Sequence, residues 1–269
     1  MAICPIATIL HSIGATIGQM VAMEHLQKIT SIPSEGNRTM NSKSDLETDK
    51  PISLKIISLG SEGEGIGRID SLAVFVEGAL PGETAAVKIT ERKSNYARGI
   101  ATKIEETSSQ RVTPPCPYFQ NCGGCQIMHL NYESQLLAKQ QRVVETLKRL
   151  GGIKDIEVLP CLPSPKQFGY RNKITLKVKK IQEQTKIGYF ERRSHAIVDI
   201  DRCAIQDNAA HSILKALREL IGAIKIDPRE LEQIIIRSSI KEGKFLIILE
   251  GEKCFGKALQ ELAGQLVKR

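Results

Sequence analysis

With 269 residues, 41% of them hydrophobic, the chain is long enough for one large or two small domains, each with a buried core. Its net charge of +8 is unevenly placed, since residues 51–269 hold 34 basic against 25 acidic side chains, a balance that favours a polyanion such as nucleic acid as partner. The stretch 1–23 carries no Lys, Arg, Asp or Glu, yet it is excluded as a signal peptide or membrane span: it has no basic start, and Pro5, His11, Gly14, Gly18 and Gln19 interrupt it.

Residues 24–50 are polar and rich in Ser, Asn, Thr and charge, so 1–50 is expected to be a disordered leader, with Met23 and Met40 as alternative starts. From Ile52 the pattern changes to short β-like runs, ISLKIISL, LAVFV, TAAVKIT and YARGIATKI, separated by Gly, Pro and charged turns. Their spacing predicts a small barrel over 51–108. The join GSEGEGIGR could be mistaken for a dinucleotide fingerprint, but that motif needs a helix after its glycines and a β-rich run follows here. A hairpin whose glycines permit positive φ and close backbone approach is expected instead.

Beyond the barrel, Asn131 is expected to cap a helix running to about Leu150, with Leu136, Val143, Leu147 and Leu150 along one face and Gly151 and Gly152 ending it. The run YRNKITLKVKK alternates Ile174, Leu176 and Val178 with Lys173, Lys177 and Lys179, which predicts a strand with one strongly positive face. Two more strand-like runs to 203, a helix near 208–221, the strands EQIIIRSS and KFLIILEG, and a helix over about 255–267 complete an α+β unit over 109–269.

Seven cysteines are present, at 4, 116, 122, 125, 161, 203 and 254. In the reducing cytoplasm expected for a chain with no export signal, clustered cysteines bind metal or do chemistry more often than they form disulfides. Cys161 and Cys254 read as small buried hydrophobes. The segment PPCPYFQNCGGCQIMHL differs, because Cys116, Cys122 and Cys125 bring three thiolates within reach of one centre, while Gly123 and Gly124 let the backbone turn tightly and aim amide hydrogens at sulfur. A fourth ligand is needed, and Cys203, just past a predicted strand in DIDRCAI, is the natural one. Zinc usually takes two knuckles of paired ligands, whereas an iron–sulfur cluster often takes a compact group plus one distant cysteine; the spacing favours the cluster and leaves zinc open.

The order GEGIGR, VEGALPGE, ERKSNYARG, RVTPPCPYFQNCGGCQIMHLNYESQLLAKQ, YRNKITLKV, GYFERRSHAIVDIDRC resembles the TRAM-domain RNA (uracil-5-)-methyltransferases, the 23S rRNA group among them, from about Ile52 to Arg269. That resemblance implies an OB-like TRAM barrel that binds RNA, a 4Fe–4S cluster on Cys116, Cys122, Cys125 and Cys203, and S-adenosylmethionine as methyl donor to C5 of a uridine. Such chemistry needs a cysteine thiolate to add to C6 of the base and a general base to remove the C5 proton. In the family these parts sit on a Rossmann-like C-terminal domain. No glycine-rich cofactor loop occurs after residue 203, and Cys254 in GEKCFGK lacks the family's catalytic context. The expectation is therefore a substrate-recognition portion, truncated before the Rossmann-like domain and inactive alone, with no catalytic residue of its own.

For RNA contact the expected residues are Arg68, Lys93, Tyr96 and Arg98 in the barrel and Arg171, Lys173, Arg192 and Arg193 in the second unit, charges for the backbone and aromatic faces for splayed bases. Ribosomal RNA is the expected partner ahead of tRNA, with no membrane partner and a monomeric chain. A non-catalytic RNA-binding module with a zinc or iron–sulfur site is the rival reading. A radical S-adenosylmethionine enzyme fits less well, because five residues separate the first cysteine pair.

Overall fold

The computed structural model describes residues 7–10, 50–182, 184–224, 226, 230–239, 241–252 and 256–267. Within the expected leader, four residues form a strand rather than disordered chain: β1 (Ala7–Leu10) adds antiparallel to the edge of the second sheet. The rest of 1–49, Cys4 included, lies outside the described residues, as does Cys254.

Five strands close the expected barrel: β2 (Ile52–Leu59), β3 (Gly65–Ile69), β4 (Leu72–Glu77), β5 (Thr84–Arg92) and β6 (Tyr96–Glu106), in the order β2-β3-β4-β6-β5. All neighbours are antiparallel except β4 and β6, which run parallel and seal the ring. Alternate residues of each strand face inward, as the period of two requires, so that Leu54, Ile56, Val74, Val76, Ala85, Val87, Ile89 and Ala97 form one buried cluster. The glycine-rich join behaves as expected of a hairpin. Gly63 sits at φ +83°, and a Cβ on Gly65 would meet the Ala79 carbonyl oxygen at 2.8 Å, so strand and loop approach closer than any side chain allows.

Helix α1 (Tyr132–Arg149) starts where Asn131 places its side-chain oxygen 2.8 Å from the Ser134 N–H, the cap expected from sequence. Its apolar stripe is only partly covered: Leu136 and Leu147 are half-buried, while Val143 and Leu150 are 48% and 86% exposed. The periodicity is there, but neither the barrel nor the second sheet packs against it along its length. Contact comes at particular points, such as the Arg142 guanidinium donating to the Ser61 carbonyl at 2.8 Å.

The second unit is a six-stranded antiparallel sheet in the order β1-β11-β10-β7-β8-β9, built from β7 (Lys173–Ile181), β8 (Gln184–Phe190), β9 (Ile197–Asp199), β10 (Gln233–Ser239) and β11 (Lys244–Glu250). Helices α2 (Ala209–Ala223) and α3 (Lys257–Val267) cover one face. Leu176, Ile234, Ile236 and Leu249 from the sheet meet Leu214, Leu217 and Leu262 from the helices in a core whose side chains are nearly inaccessible. The alternation foreseen in β7 holds: Ile174 and Leu176 are buried, and Lys173 and Lys179 are exposed. The α+β class follows. No helix among the described residues is long and apolar enough to cross a membrane.

Candidate metal centre and its surroundings

Between barrel and helix α1, short turns shape the cysteine segment: the Phe119 N–H donates to the Cys116 carbonyl at 3.2 Å and the Cys122 N–H to the Tyr118 carbonyl at 2.8 Å. The segment is then tied to the end of β8, where the Gly123 N–H donates to the Phe190 carbonyl at 2.9 Å and Cys122 bridges to Glu191. Cys203 arrives from the other side, after β9, and its carbonyl meets His211 Nε2 at 3.0 Å. As a result Cys116, Cys122, Cys125 and Cys203 line one small cavity together with Tyr118, Met128, Arg171 and Tyr189. All four are free thiols, with no disulfide among them. Among the described residues, no three His, Cys, Asp or Glu side chains are grouped tightly enough to hold a single metal ion.

Electrostatics in the cavity favour the protonated thiol at Cys122 and Cys125. Burial and the neighbouring cysteines push Cys125 up to about 11, and burial also raises Cys122, against which the Gly124 N–H, 3.4 Å from its sulfur, pulls the other way. Burial likewise raises the Tyr189 phenol, whose hydroxyl is enclosed within reach of the Cys203 sulfur and has no completed hydrogen bond. Arg171 contributes positive charge to both Cys125 and Tyr189.

Cys161 departs from its expected role as a core residue. It is only partly buried, in the irregular stretch where Ile156, Leu159 and Leu162 are also exposed.

Two ion pairs join this centre to the barrel, and spacing in the sequence gave no sign of either. Glu83, fully buried, receives Arg111 Nε on Oε1 at 2.6 Å and Nη2 on Oε2 at 2.8 Å, and also accepts from the Leu80 N–H. Arg192 reaches Glu77 at 3.3 Å, donates to the Cys125 carbonyl at 2.6 Å and lies over the Phe119 ring at 5.1 Å. Phe119 stacks in turn on His129, whose two ring nitrogens are buried without partners and whose pKa falls to about 4 through burial and the adjacent Arg111 and Arg192 charges.

The residues expected to touch RNA are therefore not equivalent. Arg192 is committed internally and Arg171 lines the thiol cavity, while Arg98 packs over Phe75 and Tyr96 beside Glu64 and Glu91. Arg68 donates to Ser71 within its own hairpin and Lys93 pairs with Glu91, both at exposed positions. Lys173 and Arg193 are exposed, and Arg193 lies 4.0 Å from Glu77. An open groove of about 1750 Å³ runs between the barrel and α1, but its acidic residues, among them Glu62, Glu64 and Glu145, match its basic ones in number, which does not suit a phosphate track.

Residues 51–102 match the model of the TRAM domain family. An uncharacterised RNA methyltransferase of Clostridium tetani is 40% identical over 203 residues, covering 73% of this chain and 44% of that protein. One of Synechocystis is 34% identical over 226 residues, covering 81% and 49%. Among solved structures, the tRNA (uracil-54, C5)-methyltransferase of Pyrococcus abyssi, in complex with S-adenosyl-L-homocysteine, superposes with a TM-score of 0.51 at 29% identity over 72% of this chain and 44% of its own. The chain thus spans about half the length of the curated relatives it matches. A matching barrel domain, relatives named for RNA methylation and a shared fold agree, and the chain belongs to the TRAM-domain RNA (uracil-5-)-methyltransferase family.

Proposed function

We propose that these 269 residues are the RNA-holding portion of an S-adenosylmethionine-dependent RNA uracil-C5 methyltransferase acting on ribosomal RNA, and that Cys116, Cys122, Cys125 and Cys203 hold a 4Fe–4S cluster within it. One observation carries the reading: thiols from 116–125 and from 203, far apart in the chain, line a single cavity beside a TRAM barrel. The donor set fits, being four sulfurs, amide hydrogens from a Gly-Gly turn and nearby guanidinium charge. A zinc ion suits the arrangement less, because Zn–S bonds of about 2.3 Å gather four sulfurs tightly around one point. When bound, the cluster supplies a cross-link between the two segments and a redox-active centre. The S-adenosyl-L-homocysteine bound in the Pyrococcus structure, which is S-adenosylmethionine without its methyl group, supports S-adenosylmethionine as the methyl donor.

In this reading the barrel presents Arg68 and Lys93 to RNA and the second unit adds Lys173 and Arg193, the exposed members of the expected set, while Arg98, Arg171 and Arg192 are held by internal contacts. Anaerobic purification followed by iron and sulfide assay tests the centre, and gel-shift assays with ribosomal and transfer RNA fragments test the partner. About four irons and four sulfides per chain, with tighter binding of the ribosomal fragment, are expected. Stoichiometric zinc overturns the cluster, preference for tRNA overturns the ribosomal assignment, and failure to bind either RNA overturns the function.

A further inference from the structure

The outer face of the second sheet, opposite α2 and α3, carries two pairs of like charges set directly across from one another. Lys173 on β7 faces Arg237 on β10, and Lys179 on β7 faces Lys186 on β8. Directly opposed like charges destabilise a sheet. Lysines are often placed on edge strands to block unwanted pairing, and although β7 and β8 are interior by strand order, Lys179 lies beyond the β10 register, which ends at Lys177, and Lys186 beyond the β9 register, which begins at Gly188. Edge protection accounts for a lysine on each such stretch, but not for setting two like charges opposite one another.

Among the described residues of β7 and β8, charge on this face is also unopposed locally. Neither β7 nor β8 contains an acidic residue. The carboxylates at its border are engaged already: Asp199 binds Arg218 and the Ile187 N–H, and Glu250 accepts from Gln233. Phe190, partly exposed on the same face, lies beneath the Lys177 ammonium at 5.7 Å and offers a ring of the kind on which a base can stack.

We propose that this face, centred on Lys173, Arg237, Lys179 and Lys186, is a docking surface for the RNA phosphate backbone, distinct from the barrel. Polyanion binding would relieve the opposed charges by bringing phosphates between them and releasing counterions. The inference rests on the reading of the chain as an RNA binder and specifies where the RNA runs.

The test compares the whole chain with the double variants Lys179→Gln/Lys186→Gln and Lys173→Gln/Arg237→Gln, using a uridine-bearing hairpin RNA across a salt series and urea unfolding of the same proteins. Each double variant is expected to flatten the logarithmic salt slope by about 1.4 to 1.8 and to weaken binding about 25- to 60-fold near 0.1 M salt. Fold stability should be unchanged or increased, because repulsion is removed. Wild-type slope and affinity in both variants overturn the face while leaving the RNA reading intact. Absence of RNA binding by the wild-type chain overturns the RNA reading, and this surface with it. A variant that loses stability along with affinity also counts against the proposal, since the opposed charges would then be supporting the fold.

Discussion

Arg111 grips Glu83 through two parallel hydrogen bonds, Nε to Oε1 at 2.6 Å and Nη2 to Oε2 at 2.8 Å, and so clamps the segment leading into the cysteines onto the base of the barrel. Glu83 is fully buried and Arg111 is 24% exposed, so the pair is strong but still touches water. Glu83→Gln is expected to cost about 3 kcal/mol in urea unfolding, the lower end for breaking a buried pair. Burial alone would raise the Glu83 pKa, but the Arg111 hydrogen bonds and charge, with the Leu80 and Ser108 amides, outweigh it and bring the group below its usual 4.5. The folded value being depressed, this stability is present above the unfolded value and is lost as pH falls through the folded one. Wild type should therefore lose stability on acidification below about pH 4.5 more steeply than Glu83→Gln; parallel losses would show that the pair does not govern acid sensitivity.

Arg192 connects three parts: Glu77 at the barrel, the Cys125 carbonyl in the thiol segment and the Phe119 ring. Arg192→Lys keeps the charge but cannot serve a carboxylate and a carbonyl in one planar fork while covering the ring. A loss of about 1.5 to 3 kcal/mol in unfolding free energy is expected from the charge-assisted bonds. Faster loss of iron from the purified protein should accompany it, and a lysine variant matching wild type in both measurements would remove Arg192 from the junction.

Cys203→Ser severs the proposed link between the 116–125 segment and the end of β9. Limited proteolysis should then cut the second unit, and iron content should fall. Unchanged protease resistance with full iron content would count against Cys203 as a ligand. Loading should also depend on pH: because burial and neighbouring cysteines push the Cys125 thiol up to about 11, metal must displace protons, and reconstitution of stripped protein is expected to improve between pH 7 and 9.

The Tyr189 hydroxyl is buried beside Cys203 without a completed hydrogen bond, and a thiolate ligand there gives it an acceptor. Hydrogen bonds to cluster sulfurs stabilise the more negative reduced state. Tyr189→Phe is expected to lower the reduction potential, making the reduced fraction at a fixed poise about tenfold smaller, or about 59 mV for one electron. Spectroelectrochemistry of the two proteins would decide it, an identical potential removing the hydroxyl from the centre.

Local signals in the sequence were reliable where a short stretch determines its own shape. Asn131 caps α1 because its side chain reaches the Ser134 amide three residues on, and the alternation in β7 places Ile174 and Leu176 inward regardless of what lies across the sheet. Cys203 could be singled out from sequence because a four-ligand site needs one sulfur more than 116–125 offers, and it lines the same cavity as those three. The Glu83–Arg111 and Glu77–Arg192 pairs were not, since nothing local distinguishes an arginine bound internally from one in water. How much of the α1 stripe is covered was not legible for a related reason: period 3.6 shows which residues share a face, not whether another element covers it. The opposed lysines needed the strand register, which no single strand contains.

The separation of 78 positions between Cys125 and Cys203 also has a temporal side. On the ribosome, barrel and first three thiols are complete while the fourth is still unmade, an interval of roughly 4 to 16 s at ordinary elongation rates. During that interval three nearby sulfhydryls on nascent chain are open to stray copper, zinc or peroxide. Expression under oxidative or metal stress should thus damage this protein during its birth more than in its finished form.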